Sequence, residues 1–265
     1  MKYLVWTACL AFVVLLAGIV GCQKQNGDSS ASKSRVTILA AASLRECLDE
    51  MVAECGLASA AEFDISTGAS SSLAQQIQSG ANADLFLSAN GEWAKAITDQ
   101  FPEAEKKVVA GNTLVLVSPP GSSTELETLA AWFENPKLRL GIAGPEVPAG
   151  KYARQALASA GVLDGLVQNN RLIIGQDVRQ VLRWVELDEV DAGIVYRTDV
   201  EVASTVTVVL DIDSKSHDPV EYWLVLLNRE GASAEPARKM YDWFSSEAAA
   251  RILERQGFLL STDSD

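Results

Sequence analysis

The sequence predicts an α/β protein built on two largely parallel sheets, and three observations carry that expectation. Apolar runs of strand length alternate with stretches of helical periodicity along nearly the whole chain, the order expected of α/β folds. About ten such strand-like runs are present, more than one twisted sheet comfortably holds, so two smaller sheets are favoured. With 265 residues, 48% of them hydrophobic, the chain can bury two cores.

The first segment is of another kind. Lys2 and Tyr3 are followed by LVWTACLAFVVLLAGIV, 17 apolar or small residues, short of the roughly 20 that a spanning helix needs. IVGC at 19–22 and the polar stretch QKQNGDSSASKS come next, the layout of a signal peptide. IVGC also resembles a lipobox, at which bacterial lipoproteins are cleaved and lipidated on cysteine; Ile19 stands where leucine is commoner. That resemblance implies a signal over 1–21, a lipid on Cys22 and a linker over 22–34. An uncleaved membrane anchor is the alternative. Either way the globular part begins near Ser34 and lies outside the cytoplasm.

From there the elements can be justified in order. VTILAAAS (36–43) reads as a buried strand, and Leu44, Cys47, Leu48, Met51, Val52 and Cys55 follow helical spacing. Ser43 and Glu46 fit a capping box, which makes Ser43 the expected N-cap of that helix. EFDIST is a strand, SSSLAQQIQSG a helix closed by Gly80, ADLFLSA a strand and GEWAKAITDQF a helix. TLVLVSPP is a strand that stops at two prolines; helix LETLAAWFE, strand LRLGIAG, helix AGKYARQALASAG and strand RLIIG follow. Helix DVRQVLRWVELDE opens on Asp177 as N-cap, then come strands DAGIVY, TVTVVLDI and EYWLVLLN. One long helix is expected from about Glu235 to Gln256, with Gly257 beyond it.

Several chemistries are disfavoured. A net charge of −13 with no basic stripe argues against a nucleic-acid partner. The single histidine, His217, lies in the polar loop DSKSHDPVE with nothing around it that suggests a triad, and GASSS (68–72) lacks the G-x-S-x-G spacing. No histidine, cysteine and carboxylate cluster has metal-ligand spacing, so no metal and no cofactor is expected. GPEVPAGKY (144–152) has five residues between its glycines rather than four, and Tyr152 where a P-loop needs Ser or Thr. Cys47 and Cys55 sit eight apart on one helix, about 12 Å at 1.5 Å per residue, too far to pair.

One pattern does recur. Small or hydroxyl residues open a helix at Ser43, at Ser70–Ser72, at Pro148-Ala149-Gly150 and at Asp177-Val178. Helix N-termini carry unpaired N–H groups and the positive end of the macrodipole, and so bind anions without a charged side chain. Every helix needs a start, however, so these four acquire meaning only if the fold brings them together.

These same residues carry a family resemblance. AAASL (40–44), SSSLAQQIQSGANADLFLSA (70–89), GNTLVLVSP (111–119), VPAGKYARQAL (147–157), DVRQVL (177–182), GIVY (193–196) and GF (257–258) occur in this order. Together they resemble the molybdate-binding proteins of bacterial ABC transporters, from about Val36 to Phe258. The resemblance implies the type II periplasmic-binding fold: two α/β lobes, mixed mostly parallel sheets flanked by helices, hinged by crossover strands. It implies lobe I over 35–112 and 222–265 and lobe II over 113–221. It places oxyanion ligands on Ser43, Ser70, Ala149, Val178 and Tyr196, the serines through hydroxyl and N–H, the alanine and valine through N–H, the tyrosine through its hydroxyl. Ala69 departs from the serine many relatives carry.

The resemblance further implies a monomeric, lipid-anchored binding protein, not an enzyme, that passes molybdate or tungstate to an ABC permease. Two alternatives stay open: the same fold taking sulfate, phosphate or a small organic anion, and an extracytoplasmic serine hydrolase using the 70–72 cluster.

Overall fold

A computed structural model describes residues 33–121, 127–203 and 205–260. The expected signal, Cys22 and the linker as far as Ser32 lie outside the described residues. Among the described residues, no helix is long and apolar enough to cross a membrane.

Two mixed sheets of five strands each form the two lobes. The first runs β2 (Ala61–Gly68), β1 (Ser34–Ala41), β3 (Leu85–Ser88), β10 (Val220–Leu226), β4 (Glu105–Asn112). The second runs β7 (Leu172–Gly175), β6 (Leu140–Ala143), β8 (Ala192–Tyr196), β5 (Leu114–Ser118), β9 (Thr207–Asp211). Each sheet repeats one plan. Three parallel strands sit at one side, and a fourth, β10 or β5, pairs antiparallel between them and an edge strand. The chain crosses between the sheets twice, first through Thr113 alone and then back through residues 212–219.

Alternation along the buried strands explains the layers. Val36, Ile38 and Ala40 of β1 join a core with Leu48 and Met51 of α1 (Arg45–Glu54). Leu39 and Phe86 face the other way, onto Leu73 and Ile77 of α2 (Ser70–Gln78) and Ile97 of α3 (Gly91–Gln100). Helices therefore cover both faces, as parallel strands require. Cys47 and Cys55 are free and buried, and burial pushes the Cys47 thiol up to about 12.

In the second lobe, α5 (Pro148–Ser159) follows β6 and α7 (Val178–Glu186) follows β7, with α4 (Leu129–Trp132), α6 (Leu163–Gln168) and α8 (Arg197–Val202) as shorter pieces. Helix α7 buries Val178, Val181, Leu182 and Val185 at i, i+3, i+4 and i+7, a full apolar face. Val181 and Val185 lie where a Cβ on Gly193 would meet them at 2.9 and 2.8 Å. The missing side chain lets α7 settle close to the sheet. Gly150, in the first turn of α5, is more constrained still: a Cβ there would stand 2.1 Å from the Gly144 carbonyl oxygen and 2.2 Å from that of Ala143. The glycine of VPAGK is thus a packing requirement between helix start and strand end, not a phosphate loop.

Four expectations need correction. Ser43 does not cap α1: it lies in a 3-10 turn, Ala42–Leu44, Leu44 occupies the cap position, and no side chain caps either. Its hydroxyl is engaged by Tyr222 instead. The single terminal helix expected from Glu235 to Gln256 is two helices, α9 (Ala234–Trp243) and α10 (Glu247–Arg255), because Ser246 accepts from the Ala249 N–H and starts a new one. The helix expected at LETLAAWFE is confined to Leu129–Trp132 among the described residues. Strand β4 has no counterpart in the sequence reading: EKKVVAGN begins with charged residues, as suits the edge of a sheet.

The two glycines of lobe II helices should respond oppositely to alanine. Gly150→Ala forces Cβ into fixed backbone and should cost at least about 1–3 kcal/mol. Gly165 has nothing within 4 Å of its Cβ position inside α6, so Gly165→Ala should stabilise by about 0.5–1 kcal/mol. Urea denaturation of both variants checks the contrast.

Candidate functional site

The carboxyl ends of the parallel strands of both lobes face one cleft, the place where open α/β sheets bind ligands. Residues that follow β1, β2 and β3 come from one side, and those that follow β6 and β7 or end β8 come from the other. Ser43, Ser70, Ala149, Val178 and Tyr196 all line a single cavity there, with Ala89 and Asp177 among their neighbours. The cavity is small, about 220 Å³ with its open mouth included. A wider depression bordered by Ser118, Trp132 and Asp191 lies elsewhere and, among the described residues, gathers no unpartnered buried polar atom.

Side chains cap some helices of this chain and leave others bare, at the cavity (α2, α5) and away from it (α6, α9) alike. Asn90, Thr128 and Ser246 cap α3, α4 and α10 with their side chains. Helix α2 starts after Ala69 and α5 after Val147, and neither has a side-chain cap. First-turn N–H groups have no carbonyl four residues back, so those of Ser70 and Ala149 are left for whatever occupies the cleft. On α7, Asp177 accepts from the Gln180 N–H, and the Val178 N–H at the first helical position is not the one it takes.

The side-chain hydroxyls are set up as donors. Ser70 is buried, and its oxygen accepts from the Ala89 N–H at 3.1 Å, which leaves its own proton to give. Tyr196 is 1% exposed, and its hydroxyl has no hydrogen-bond partner among the described residues. Burial above all, then Tyr222, Tyr152 and Asp199, pushes its ionisation well above the ordinary tyrosine value, so it stays a neutral O–H. Among the described residues, no lysine, arginine or histidine lines the cavity. His217 sits in the return crossing, its Nδ1 2.7 Å from the Asp218 carbonyl oxygen, and is not in the lining. A serine nucleophile at position 70 therefore has no base beside it.

One guanidinium gathers carboxylates from both lobes. Arg179 of α7 sets its Nε 2.9 Å from Oδ1 of Asp199 and its Nη2 2.6 Å from Oε2 of Glu46 on the other lobe. Nη2 also reaches the Ser43 carbonyl at 3.4 Å. Asp199 is fully buried, and its second oxygen accepts from the Tyr196 N–H at 3.0 Å. The guanidinium is thus spent on two carboxylates and does not face the cavity. Further contacts join the lobes: the Tyr152 hydroxyl donates to the Ala89 carbonyl at 3.2 Å, the Trp93 indole to that of Glu146 at 3.1 Å, and Lys151 pairs with Glu92.

Arg179, Asp199 and Tyr152 do not stand out in the sequence for these roles. A signal exists for one: Arg179 belongs to DVRQVL, beside Val178. Tyr152 is conspicuous there only as the wrong residue for a P-loop.

Burial raises the Asp199 carboxyl to about 6, against the pull of Arg179 and of the Tyr196 N–H. The folded protein then holds this proton more tightly than the unfolded chain, so stability gained from this group grows as pH falls from about 7 to about 4, by on the order of 3 kcal/mol. Asp199→Asn lacks that gain. Urea denaturation of both proteins across this window should show wild type improving relative to the variant as pH drops; a constant difference contradicts it.

Residues 36–259 match the bacterial extracellular solute-binding protein family. The chain is 34% identical to the molybdate-binding protein ModA of Escherichia coli (strain K12), over 88% of this chain and 92% of the relative. In fold it is similar to the periplasmic molybdate-binding protein of Azotobacter vinelandii, with a TM-score of 0.74 and 21% identity over 85% of this chain and 99% of that one. The sulfate-binding protein SubI of Mycobacterium tuberculosis H37Rv is nearly as similar, with a TM-score of 0.72 and 14% identity over 87% and 88%.

Proposed function

Because this chain belongs to the bacterial extracellular solute-binding protein family, we propose that it captures a fully deprotonated tetrahedral oxyanion between its lobes and delivers it to an ABC permease. Molybdate is the ligand, with tungstate bound about as well. Ser43, Ser70, Ala149, Val178 and Tyr196 hold it, through the three hydroxyls and the N–H groups of the helix starts. The observation that carries this is Tyr196: a buried O–H with no acceptor, aimed with other unclaimed donors at one small cavity. Such a group costs about 1–3 kcal/mol until an acceptor arrives. The choice of molybdate rests on the 34% identical relative; the fold alone is shared with a sulfate-binding protein.

An all-donor shell of fixed size discriminates by size and by protonation: molybdate and tungstate are larger than sulfate and similar to each other. Monohydrogen phosphate brings an O–H that would meet a donor and leave both unpaired, at roughly 1–3 kcal/mol. A lysine would raise affinity for any anion and blunt the distinction. The lobe expected over 35–112 and from 222 onward starts its second part at Val220, because β10 holds Val220 and Glu221 to the first sheet, and 113–219 move as the other lobe. The overall acidic charge does not repel the ligand, since surface carboxylates are screened within about 8–10 Å while the donors act at contact. A lipid on Cys22 holds the protein, as a monomer, to a membrane outside the cytoplasm, on its periplasmic side.

Calorimetry with molybdate, tungstate, sulfate and phosphate tests the ligand. The first two should bind, the last two far more weakly. Ser70→Ala and Tyr196→Phe each remove a hydrogen bond to a charged partner, about 1.5–3 kcal/mol, and should weaken molybdate about 10- to 150-fold at 1.4 kcal/mol per decade. Ser72→Ala, exposed on α2, should bind normally. Losses below threefold in both site variants would sink the assignment. Cys22→Ala should release the protein from membranes or leave its signal unprocessed; unchanged maturation and fractionation would remove the anchor from the account.

A further inference from the structure

Ser43 differs from Ser70 in what sits behind its hydroxyl. Its Oγ lies 2.7 Å from the Tyr222 hydroxyl, and either oxygen can donate in that pair. Direction is settled one residue further back. The side-chain oxygen of Asn112 accepts the Thr113 N–H at 2.8 Å, which fixes the amide so that its NH2 points the other way. That NH2 donates to the Thr198 hydroxyl at 2.9 Å and to the Tyr222 hydroxyl at 3.3 Å. An amide NH2 cannot accept. Of the two groups bonded to the Tyr222 oxygen, Asn112 and Ser43, only Ser43 can take the tyrosine's proton. Asn112 is buried and Tyr222 fully so, so a misdirected O–H there would have no water to turn to.

From this chain of donors we propose that Asn112 and Tyr222 are specificity-determining positioning residues: they make Ser43 the acceptor of the Tyr222 proton, so that its own proton is free for the cavity rather than spent on Tyr222. The relay rests on the oxyanion reading given above and goes beyond it. Neither residue lines the cavity. Without the relay a serine hydroxyl is ambidextrous, able to donate to a bare oxyanion oxygen or accept from a protonated one. With it, Ser43 always has a proton to give, which favours a bare oxyanion oxygen over a protonated one. Ser70 is treated alike, by the Ala89 N–H on its oxygen, so both serines of the first lobe are donors by construction. Asn112 is the last residue of β4 and Thr113 the single-residue crossing, so the anchor of the relay is the first link between the lobes.

Asn112→Asp tests this nearly isosterically. One carboxylate oxygen still accepts the Thr113 N–H, while the other now accepts where the amide donated. Tyr222 then turns its proton to that second oxygen, Ser43 donates to Tyr222, and Ser43 shows the cavity a lone pair. The full-length protein is titrated calorimetrically at mildly alkaline pH with molybdate and with phosphate, as wild type, Asn112→Asp, Tyr222→Phe and the double variant. Asn112→Asp should weaken molybdate at least tenfold and narrow the molybdate-over-phosphate ratio by at least as much. In the Tyr222→Phe background the link to Ser43 is gone, so the same substitution should cost less than threefold, a non-additivity that added charge or a damaged fold would not produce. Equal losses in both backgrounds, or a loss below threefold in the otherwise wild-type protein, overturn the relay. If Asn112→Asp does not fold, Tyr222→Phe decides alone: the ratio must narrow at least threefold, and an unchanged ratio refutes the proposal. If wild type binds none of the oxyanions, the ligand reading falls and takes the relay with it; if wild type binds and the cycle is additive, only the relay falls.

Discussion

A buried N–H or O–H must find an acceptor or cost the fold about 1–3 kcal/mol, and this protein concentrates such donors around one cavity. The Tyr196 hydroxyl has no partner among the described residues, and the starts of α2 and α5 carry no side-chain caps. Side chains cap some other helices, with Asn90, Thr128 and Ser246, and leave α6 and α9 bare, so it is the buried, unpartnered Tyr196 hydroxyl that sets the cleft apart. On the proposed reading an anion supplies the missing acceptor, and the packing nearby holds the donors still. Gly150 lets α5 close down on the carbonyls of Ala143 and Gly144, and Gly193 lets α7 sit against its sheet. Both helices consequently present their N-termini from a rigid base rather than from loops.

Charge is handled in the opposite way: it is admitted only where it can be cancelled. Arg179 lies next in sequence to Val178 and bridges Asp199 in its own lobe to Glu46 in the other. Leaving Asp199 buried without it would cost several kcal/mol. Its neutralisation by two carboxylates keeps a net positive charge out of the cavity, where it would attract sulfate, phosphate and chloride alike. The carboxylate of Asp199 in turn accepts the Tyr196 N–H, so the ion pair positions the strand end that carries the unpartnered hydroxyl.

How far this is legible in the sequence depends on the range of the contacts. The two α/β sheets follow from the alternation of buried runs and amphipathic helices, and the family follows from AAASL, VPAGK, DVR and GIVY in order. Ser70 can be found as a hydroxyl at a helix start. The helix starts can be listed, but only the tertiary fold brings them to one cavity. Ser43 reads wrongly as a cap because a local pattern, Ser43 with Glu46, competes with a partner 179 residues away that no local pattern reveals. Arg179 and Glu46, 133 apart, are equally invisible as a pair. Strand β4 and the break before Ser246 escape for a different reason: a charged edge strand and a short interruption both dilute the periodicity on which the reading relies.

The contacts between lobes bear on how such a receptor releases what it binds. Tyr152 to Ala89, Trp93 to Glu146, Lys151 to Glu92 and Arg179 to Glu46 all join the two sides. Most involve exposed or half-exposed groups, and pairs of that kind are worth about 0–1 kcal/mol each. Their sum is comparable with the cost of ordering the side chains involved, so these contacts alone favour a closed cleft by little. A ligand shifts that balance only by binding the closed form better than the open one. On the proposed assignment, donors contributed by both lobes provide that difference, because Ser43 and Ser70 belong to one side and Ala149, Val178 and Tyr196 to the other. Opening the cleft separates the two sets, and neither half alone completes the shell. Neutral donors split across a hinge therefore permit tight capture and ready release with the same atoms, whereas a buried lysine on either side would keep its share of the attraction in the open state and hold the anion back.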